Sequence, residues 1–401
     1  MRTAEASIAA SLDADDAIDL VLRDRLVTPH YQPIVDLASR SVVAVESLAR
    51  GPVGSALERP DQLFDAARRA GRLGAMDLLC TERAVECALS SATPPPLLFC
   101  NAEPAVLDQP FSPRLLELVL GELPFRMILE YTERGLPTVP GALLRVAGTV
   151  EACGNGIALD DVGADPMSLA FLPIIEPEVI KLDMHLLRNP HAPATLETCR
   201  IVRAAARRTG AVVIAEGVET EADLRTALAL GATWGQGWLF GRPVPIEALD
   251  LSGAARFEAL RPSRPGFHQP AGTPFEIAAA RGAPRAGTVD AVVEAVTRMC
   301  AAVGPDDAAV VVASCDDPEV VARIRRVLDT VTSPGAYVAV TDPAPAQPAP
   351  AEIAVAVIGT DGAEAVCLRT PAPGTDQGEL VRSGNLPTVA AVGRALLKRL
   401  A

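Results

Sequence analysis

Lysine is nearly missing from this sequence. Lys181 and Lys398 are the only two among 36 basic residues, and all the others are arginine. Arginine replaces lysine on most solvated surfaces, but not where a compact, mobile ammonium is required. An interior lysine in such a chain is therefore a position to follow. Positive charge is short overall, with a formal net charge of −14. That argues against a partner that is a nucleic-acid polymer, which needs a cationic surface to neutralise phosphates. A small phosphorylated ligand held by local cations or metal ions remains compatible. No apolar run reaches the roughly 18 residues of a membrane span, and the N-terminus has no basic–apolar leader pattern. The eight cysteines (80, 87, 100, 153, 199, 300, 315 and 367) form no CxxC pair. This argues against a zinc cluster and reads as reduced, mostly buried thiols of a cytoplasmic protein. Aromatics are only 3% against 49% apolar residues, with alanine and valine abundant. Such a composition favours an α/β globule over a disordered chain.

The 401 residues suit two or three domains, or one large barrel with a smaller partner, at roughly 150 residues per domain. Residues 14–26 read as an amphipathic helix opening on acids, as the helix dipole prefers. LVTPHYQPIVDL and SVVAVESLAR then read as a strand pair joined by a turn at Ala38–Ser41. Helices are expected over 59–73 and 75–91, then strands near 97–103, 126–133, 156–163, 179–183 and 211–219, with helices at about 194–209 and 220–230. Short strand–helix units over this length point to a (β/α) barrel, whose site sits at the C-terminal ends of its strands. A Pro/Gly-rich linker follows at 261–273, and His268 within it reads as solvated. Residues 274–401 form a second, smaller α/β unit.

The polar residues at the expected strand ends are Glu46, Asn101, Glu130, Asp160 with Asp161, Lys181, Glu216 and Gln236. Each lies one or two βα units from the next, as convergence on one barrel mouth requires. Carboxylates and amides without histidine suit Mg²⁺ or Mn²⁺ and suit zinc poorly. Adjacent carboxylates can bridge two ions, which can clamp a phosphodiester for in-line attack, and Lys181 would add charge beside the developing anion. Taken singly, each has an ordinary alternative: a solvated strand-end acid, a helix N-cap or a turn. Joint placement is what singles them out.

The strings YQPIVDL, ESLAR, FCNAEP, LEYTE, IALDDVG, VIKLD, AEGVET and QGWLFGRP occur in order between residues 31 and 243. Together they resemble the motifs of the EAL-domain family, bacterial phosphodiesterases of the second messenger cyclic di-GMP. The resemblance implies a modified TIM (β/α)8 barrel with an antiparallel first strand over residues 1–260, and hydrolysis of one phosphodiester bond of cyclic di-GMP to linear pGpG. It implies Glu46, Asn101, Glu130, Asp160 and Asp161 as ligands of two ions, Mg²⁺ or Mn²⁺, with Gln236 reaching the cluster through water. Lys181 and Glu216 would be catalytic, Gln32 and Arg50 would contact substrate, and Glu133 would steady the loop after the acids. A homodimer formed through the barrel is also implied.

Two departures bear on activity. Glu46-Ser47-Leu48 stands where the family has Glu-Ala-Leu, a change that keeps the ligand. The loop after the acids reads Val162-Gly163-Ala164-Asp165 where the family has Phe-Gly-Thr-Gly. Losing the last glycine restricts the backbone; since the resemblance implies a loop that couples metal binding to the dimer interface, the change would weaken either the second ion's occupancy or allosteric control while leaving the ligands in place. Two readings follow: an active phosphodiesterase, or a catalytically weak EAL-type receptor of cyclic di-GMP. Residues 274–401 resemble, in a few residues, the DICT sensory domain, which implies a regulatory unit answering an unknown signal or protein; a small α/β interaction or dimerisation domain is the other reading. Cys315 and Cys367 within it read as buried structural thiols.

Overall fold

The structure, a computed structural model, describes residues 14–103, 107, 110–132, 135–163, 165, 167–254, 260–341 and 351–400. Asp36 makes the first turn: its carboxylate accepts the N–H groups of Ala38 (3.2 Å) and Ser39 (2.8 Å). So short a connection can only join antiparallel strands, and β1 (Thr28–Asp36) pairs antiparallel with β2 (Val42–Arg50). The following strands are β3 (Leu97–Asn101), β4 (Arg126–Thr132), β5 (Gly156–Val162), β6 (Val179–Leu182), β7 (Val212–Ala215) and β8 (Trp234–Gln236). They pair in parallel, and β8 closes on β1 antiparallel, giving an eight-stranded barrel in chain order. Ile34, Phe99, Ile128, Val179, Ile214 and Trp234 fill its interior. The expected barrel and its reversed first strand are both present.

The helices of this part are α1 (Ala14–Arg23), α2 (Pro60–Arg69), α3 (Leu73–Ser90), α4 (Pro113–Leu120), α5 (Pro140–Ala152), α6 (Met167–Ile175), α7 (Met184–Arg188), α8 (Pro193–Thr209) and α9 (Glu221–Leu230). Four of them begin on proline, where a helix leaves its N–H unpaired anyway. Helix α6 is apolar almost throughout, and Ser168–Ile175 are all buried. A helix with no polar face needs cover on both sides, and the second unit supplies the outer cover.

That unit contains α10 (Pro274–Ala279), β9 (Arg285–Thr288), α11 (Val289–Ala301), β10 (Ala309–Cys315), α12 (Pro318–Leu328), β11 (Ala336–Thr341), β12 (Ala351–Gly359), β13 (Ala363–Thr370), β14 (Gln377–Ser383) and α13 (Leu386–Leu397). Its sheet order is β11-β10-β12-β13-β14-β9. Val311 and Val355 pack on one face with α11 and α12 residues. Val310, Val312 and Ala356 face the other way, in one continuous core with α6 and α13. Strands β9 and β14 were not expected from the sequence, because their polar, half-exposed residues lack an apolar run.

The segment at 261–273 does not behave as a solvated tether, and the reading of His268 as exposed is corrected. His268 is 0% exposed. Its Nε2 donates to Ile175 O at 2.7 Å and its Nδ1 lies 2.8 Å from Glu151 Oε2. Proline and glycine reported the absence of a helix or strand, but they carry no information about what the irregular backbone packs against. Both Cys315 and Cys367 are buried, as expected.

A carboxylate cluster at the barrel mouth

Register assembles the site. Gln32 on β1 stands opposite Glu46 on β2. Asn101 on β3 stands beside Glu130 on β4. Thr132 pairs with Asp160 on β5. Two adjacent residues of a regular strand point to opposite faces, so Asp160 and Asp161 should not both reach the mouth. The strand solves this with a bulge: the β5–β6 pairing slips between Leu159 and Val162, so that both acids oppose Lys181 alone. Asp161 takes a left-handed backbone, φ 57°, a conformation that aspartate tolerates better than most side chains.

Lys181 is fully buried at the centre. Its Nζ lies 2.8 Å from Glu216 Oε1, 2.9 Å from Glu130 Oε1, 3.1 Å from Asp160 Oδ1 and 3.5 Å from Glu46 Oε2. Burial pulls the ammonium down, but those four carboxylates together hold it well above the usual lysine range. Glu46 is drawn in further by Gln236 Nε2 at 2.5 Å and Asn101 Nδ2 at 2.9 Å. Burial would raise the Glu46 carboxyl; Lys181 and the two amide donors outweigh it and hold the group below its ordinary value. Glu130 goes the other way, raised well above the carboxylate range by burial and then by Glu46. Burial, only partly opposed by Lys181, pushes Glu216 up to about 8.

One ammonium against four carboxylates leaves an excess of buried negative charge, which protons or a cation must offset. Glu130 Oε2 and Gln236 Oε1 are buried with no hydrogen-bond partner among the described residues. Asp160, Asp161 and Glu216 each present an oxygen, all within 4.8 Å of one another. Oxygen donors with unsatisfied lone pairs and excess negative charge fit a hard divalent cation. The sequence-selected residues Glu46, Asn101, Glu130, Asp160, Asp161, Lys181, Glu216 and Gln236 thus share one mouth.

Gln32 belongs to the same group, accepting from Gln236 Nε2 at 3.1 Å and donating to Gly241 O at 3.0 Å. Arg50 sits at the end of β2, half-buried, its Nη1 on Ala49 O at 2.8 Å. Glu133 lies outside the described residues. A cleft of roughly 330 Å³ runs from Glu46 and Asn101 past Phe64 to Asp77. Asp77 was not singled out from the sequence, where it is one acid in a helix. Burial pushes its carboxyl up to about 7, with Glu103 N–H donating to Oδ1 at 3.3 Å.

Comparison with known proteins matches this part of the chain. A family model described as "EAL domain" matches residues 15–243. "Probable cyclic di-GMP phosphodiesterase PdeB" of Escherichia coli (strain K12) is 28% identical over 240 residues, 56% of this chain and 44% of that protein. Cyclic di-GMP phosphodiesterase NbdA of Pseudomonas aeruginosa is 29% identical over 274 residues, 63% and 34% of the two chains. The chain therefore spans less than half the length of either relative. The solved structure "PaMucR Phosphodiesterase, c-di-GMP complex" aligns with TM-score 0.51 and 25% identity, covering 59% of this chain and 99% of that one.

Proposed function

This chain belongs to the EAL-domain family, and we propose from that premise that its barrel binds cyclic di-GMP and hydrolyses one phosphodiester bond to give linear pGpG. The observation that carries the proposal is the joint arrival of Glu46, Asn101, Glu130, Asp160, Asp161, Lys181 and Glu216 at one mouth around a buried ammonium. The names of PdeB, NbdA and PaMucR support the substrate class.

Glu46, Asn101, Glu130, Asp160 and Asp161 would hold Mg²⁺ or Mn²⁺, two ions in all, with Gln236 oriented toward the cluster by Gln32. When bound, such ions supply Lewis-acid polarisation of a phosphoryl oxygen and lower the pKa of water. The chain's own groups do the rest. Glu216, with a proton affinity close to neutrality, suits a base that takes a proton from the attacking water. Lys181 holds a fixed positive charge where negative charge grows in the transition state. Arg50 makes no ion pair among the described residues, so its guanidinium is available to a substrate phosphate. Gln32 steers substrate through its amide.

A second reading, a receptor that binds without turnover, is favoured by one observation. Asp165 replaces the family's glycine in the loop after the acids, and its Oδ1 accepts Met167 N–H at 2.9 Å. A loop tied down in this way has less freedom to adjust around a second ion. Incubating the protein with cyclic di-GMP and Mn²⁺ or Mg²⁺, and following pGpG by chromatography, separates the two. Product that vanishes in Glu46→Ala supports the enzyme; binding with no product, and no change in Glu46→Ala, supports the receptor. A homodimer and a cytoplasmic location belong to the same proposal. The second unit covers α6, so a dimer would form through other faces, and the solution mass tests it. No helix among the described residues is long and apolar enough to cross a membrane.

A further inference from the structure

Helix α6 ends in carbonyls that no residue inside it can satisfy. Its last three are nevertheless taken, as are the two that follow the helix. Arg394 Nη1 donates to Pro173 O (3.4 Å) and Ile174 O (3.0 Å), and His268 Nε2 to Ile175 O (2.7 Å). Arg261 and Arg264 both reach Glu176 O, and Arg261 Nη1 donates to Pro177 O at 3.2 Å. Arg394 comes from α13 in the second unit and is 4% exposed. Its guanidinium lies 3.8 Å from the Phe267 ring centroid, and that of Arg264 lies 3.6 Å from the same ring. Positive charge at a helix C-terminus complements the helix dipole, and here three guanidiniums supply it.

The other end of α6 carries the complementary cap. Besides accepting Met167 N–H, Asp165 accepts Ser168 Oγ on its carbonyl at 2.7 Å. Gly163, between Asp165 and Asp161, has φ 117°, and a Cβ there would come within 2.7 Å of Leu186. Gly163 is therefore tight against Leu186, and Asp165 ties the chain to the start of α6. Phe171 in the middle of the helix meets Tyr337 of β11 edge-on at 5.5 Å. Eight of its nine residues are buried, so a shift at one end is passed to the other rather than absorbed by side-chain motion.

We infer that Arg394 is a positioning residue for the acidic pair. The second unit grips α6 by its C-terminal carbonyls, and α6 in turn holds the loop that follows Asp161 at the end of β5. This rests on the reading of Asp160 and Asp161 as the ion-holding pair. It assigns the second unit a direct hold on the site within one chain, and it gives Asp165 a role as the near end of that connection.

The test uses the full chain as Arg394→Met, Arg394→Lys and Val355→Ala. Val355 packs on the far face of the sheet, so its truncation loosens the second unit without touching α6. Hydrogen exchange over Asp160–Ser168 reads the connection itself; Mn²⁺ calorimetry without nucleotide reads its consequence. In Arg394→Met, exchange over Asp160–Ser168 rises at least about fivefold and Mn²⁺ binding weakens by a similar factor, a coupling of the usual allosteric size. Arg394→Lys restores at least half of both, and Val355→Ala moves neither. Wild-type exchange over Asp160–Ser168 in Arg394→Met, or a match between Arg394→Met and Val355→Ala, overturns the inference. Should Arg394→Met fail to fold, Arg264→Ala removes the more exposed arm of the same clamp, with the same expected and opposing results. A wild-type protein that takes up no Mn²⁺ defeats the metal reading of the site, while the exchange data still decide the connection.

Discussion

Lys181 Nζ lies 2.8 Å from Glu216 Oε1 across two adjoining barrel strands. In a chain with only two lysines, one of them is buried at the point where four carboxylates meet. A guanidinium is wider and planar, and inserting extra bulk at a close-packed site costs about 1–3 kcal/mol. Lys181→Arg should therefore lower turnover of cyclic di-GMP by about 100-fold or more, the scale of a lost electrostatic stabiliser. Near-wild-type turnover in a steady-state assay would remove the case for a dedicated ammonium. Lys181→Met leaves the carboxylates without their internal cation and should cost about 3–5 kcal/mol. Thermal unfolding in EDTA shows this loss, and added Mn²⁺ should recover part of it.

The left-handed backbone at Asp161, φ 57°, separates two functions of that side chain. Asp161→Asn keeps the tolerance of this conformation and drops the charge; it should melt like the wild type and bind one Mn²⁺ fewer. Asp161→Ala loses both and should be less stable by about 1–2 kcal/mol. Equal melting of the two variants would show that the bulge imposes no strain.

Asp77 makes stability depend on pH. Burial raises its carboxyl from 3.8 to about 7, so the folded protein binds its proton more tightly than the unfolded chain. The stabilisation is complete below pH 3.8 and disappears as pH rises through about 7. Asp77→Asn, which stays neutral and can still accept from Glu103 N–H, should raise the melting temperature at pH 8 by about 4 °C or more. At pH 5 the two proteins should differ far less. An equal effect at both pH values would mean that proton linkage is not the cause.

His268 and Glu151 are each 0% exposed and face one another at 2.8 Å. Removing one partner strands the other. His268→Ala should cost about 3 kcal/mol or more in chemical denaturation. Adding Glu151→Gln to it should recover a large part, because a neutral amide is cheaper to bury than an unpaired carboxylate. An additive double-mutant cycle would show that the pair is not coupled.

Much of this was legible along the chain. Short apolar strands ending in polar residues marked the barrel, and those end residues were the ones that gathered at its mouth. Proline at helix starts and the turn chemistry of Asp36 are equally local, so boundaries fell close to where spacing put them. The helices α6 and α7 were harder, being an apolar segment with an internal proline and a single short turn. Strands β9 and β14 were illegible, because their place depends on the neighbours they complete rather than on their own pattern.

The sequence by itself determined the residue set, since carboxylates, amides and one lysine at strand ends follow from the period of the βα unit. Tertiary structure alone decided what each of them experiences. The bulge that turns Asp161 toward Asp160, the burial that drives Glu216 and Glu130 up while Glu46 stays low, and the arginines gathered on the last carbonyls of α6 all arise from residues far apart in the chain. Identity is local, but proton affinity, charge balance and helix capping depend on which distant groups exclude water from the same volume.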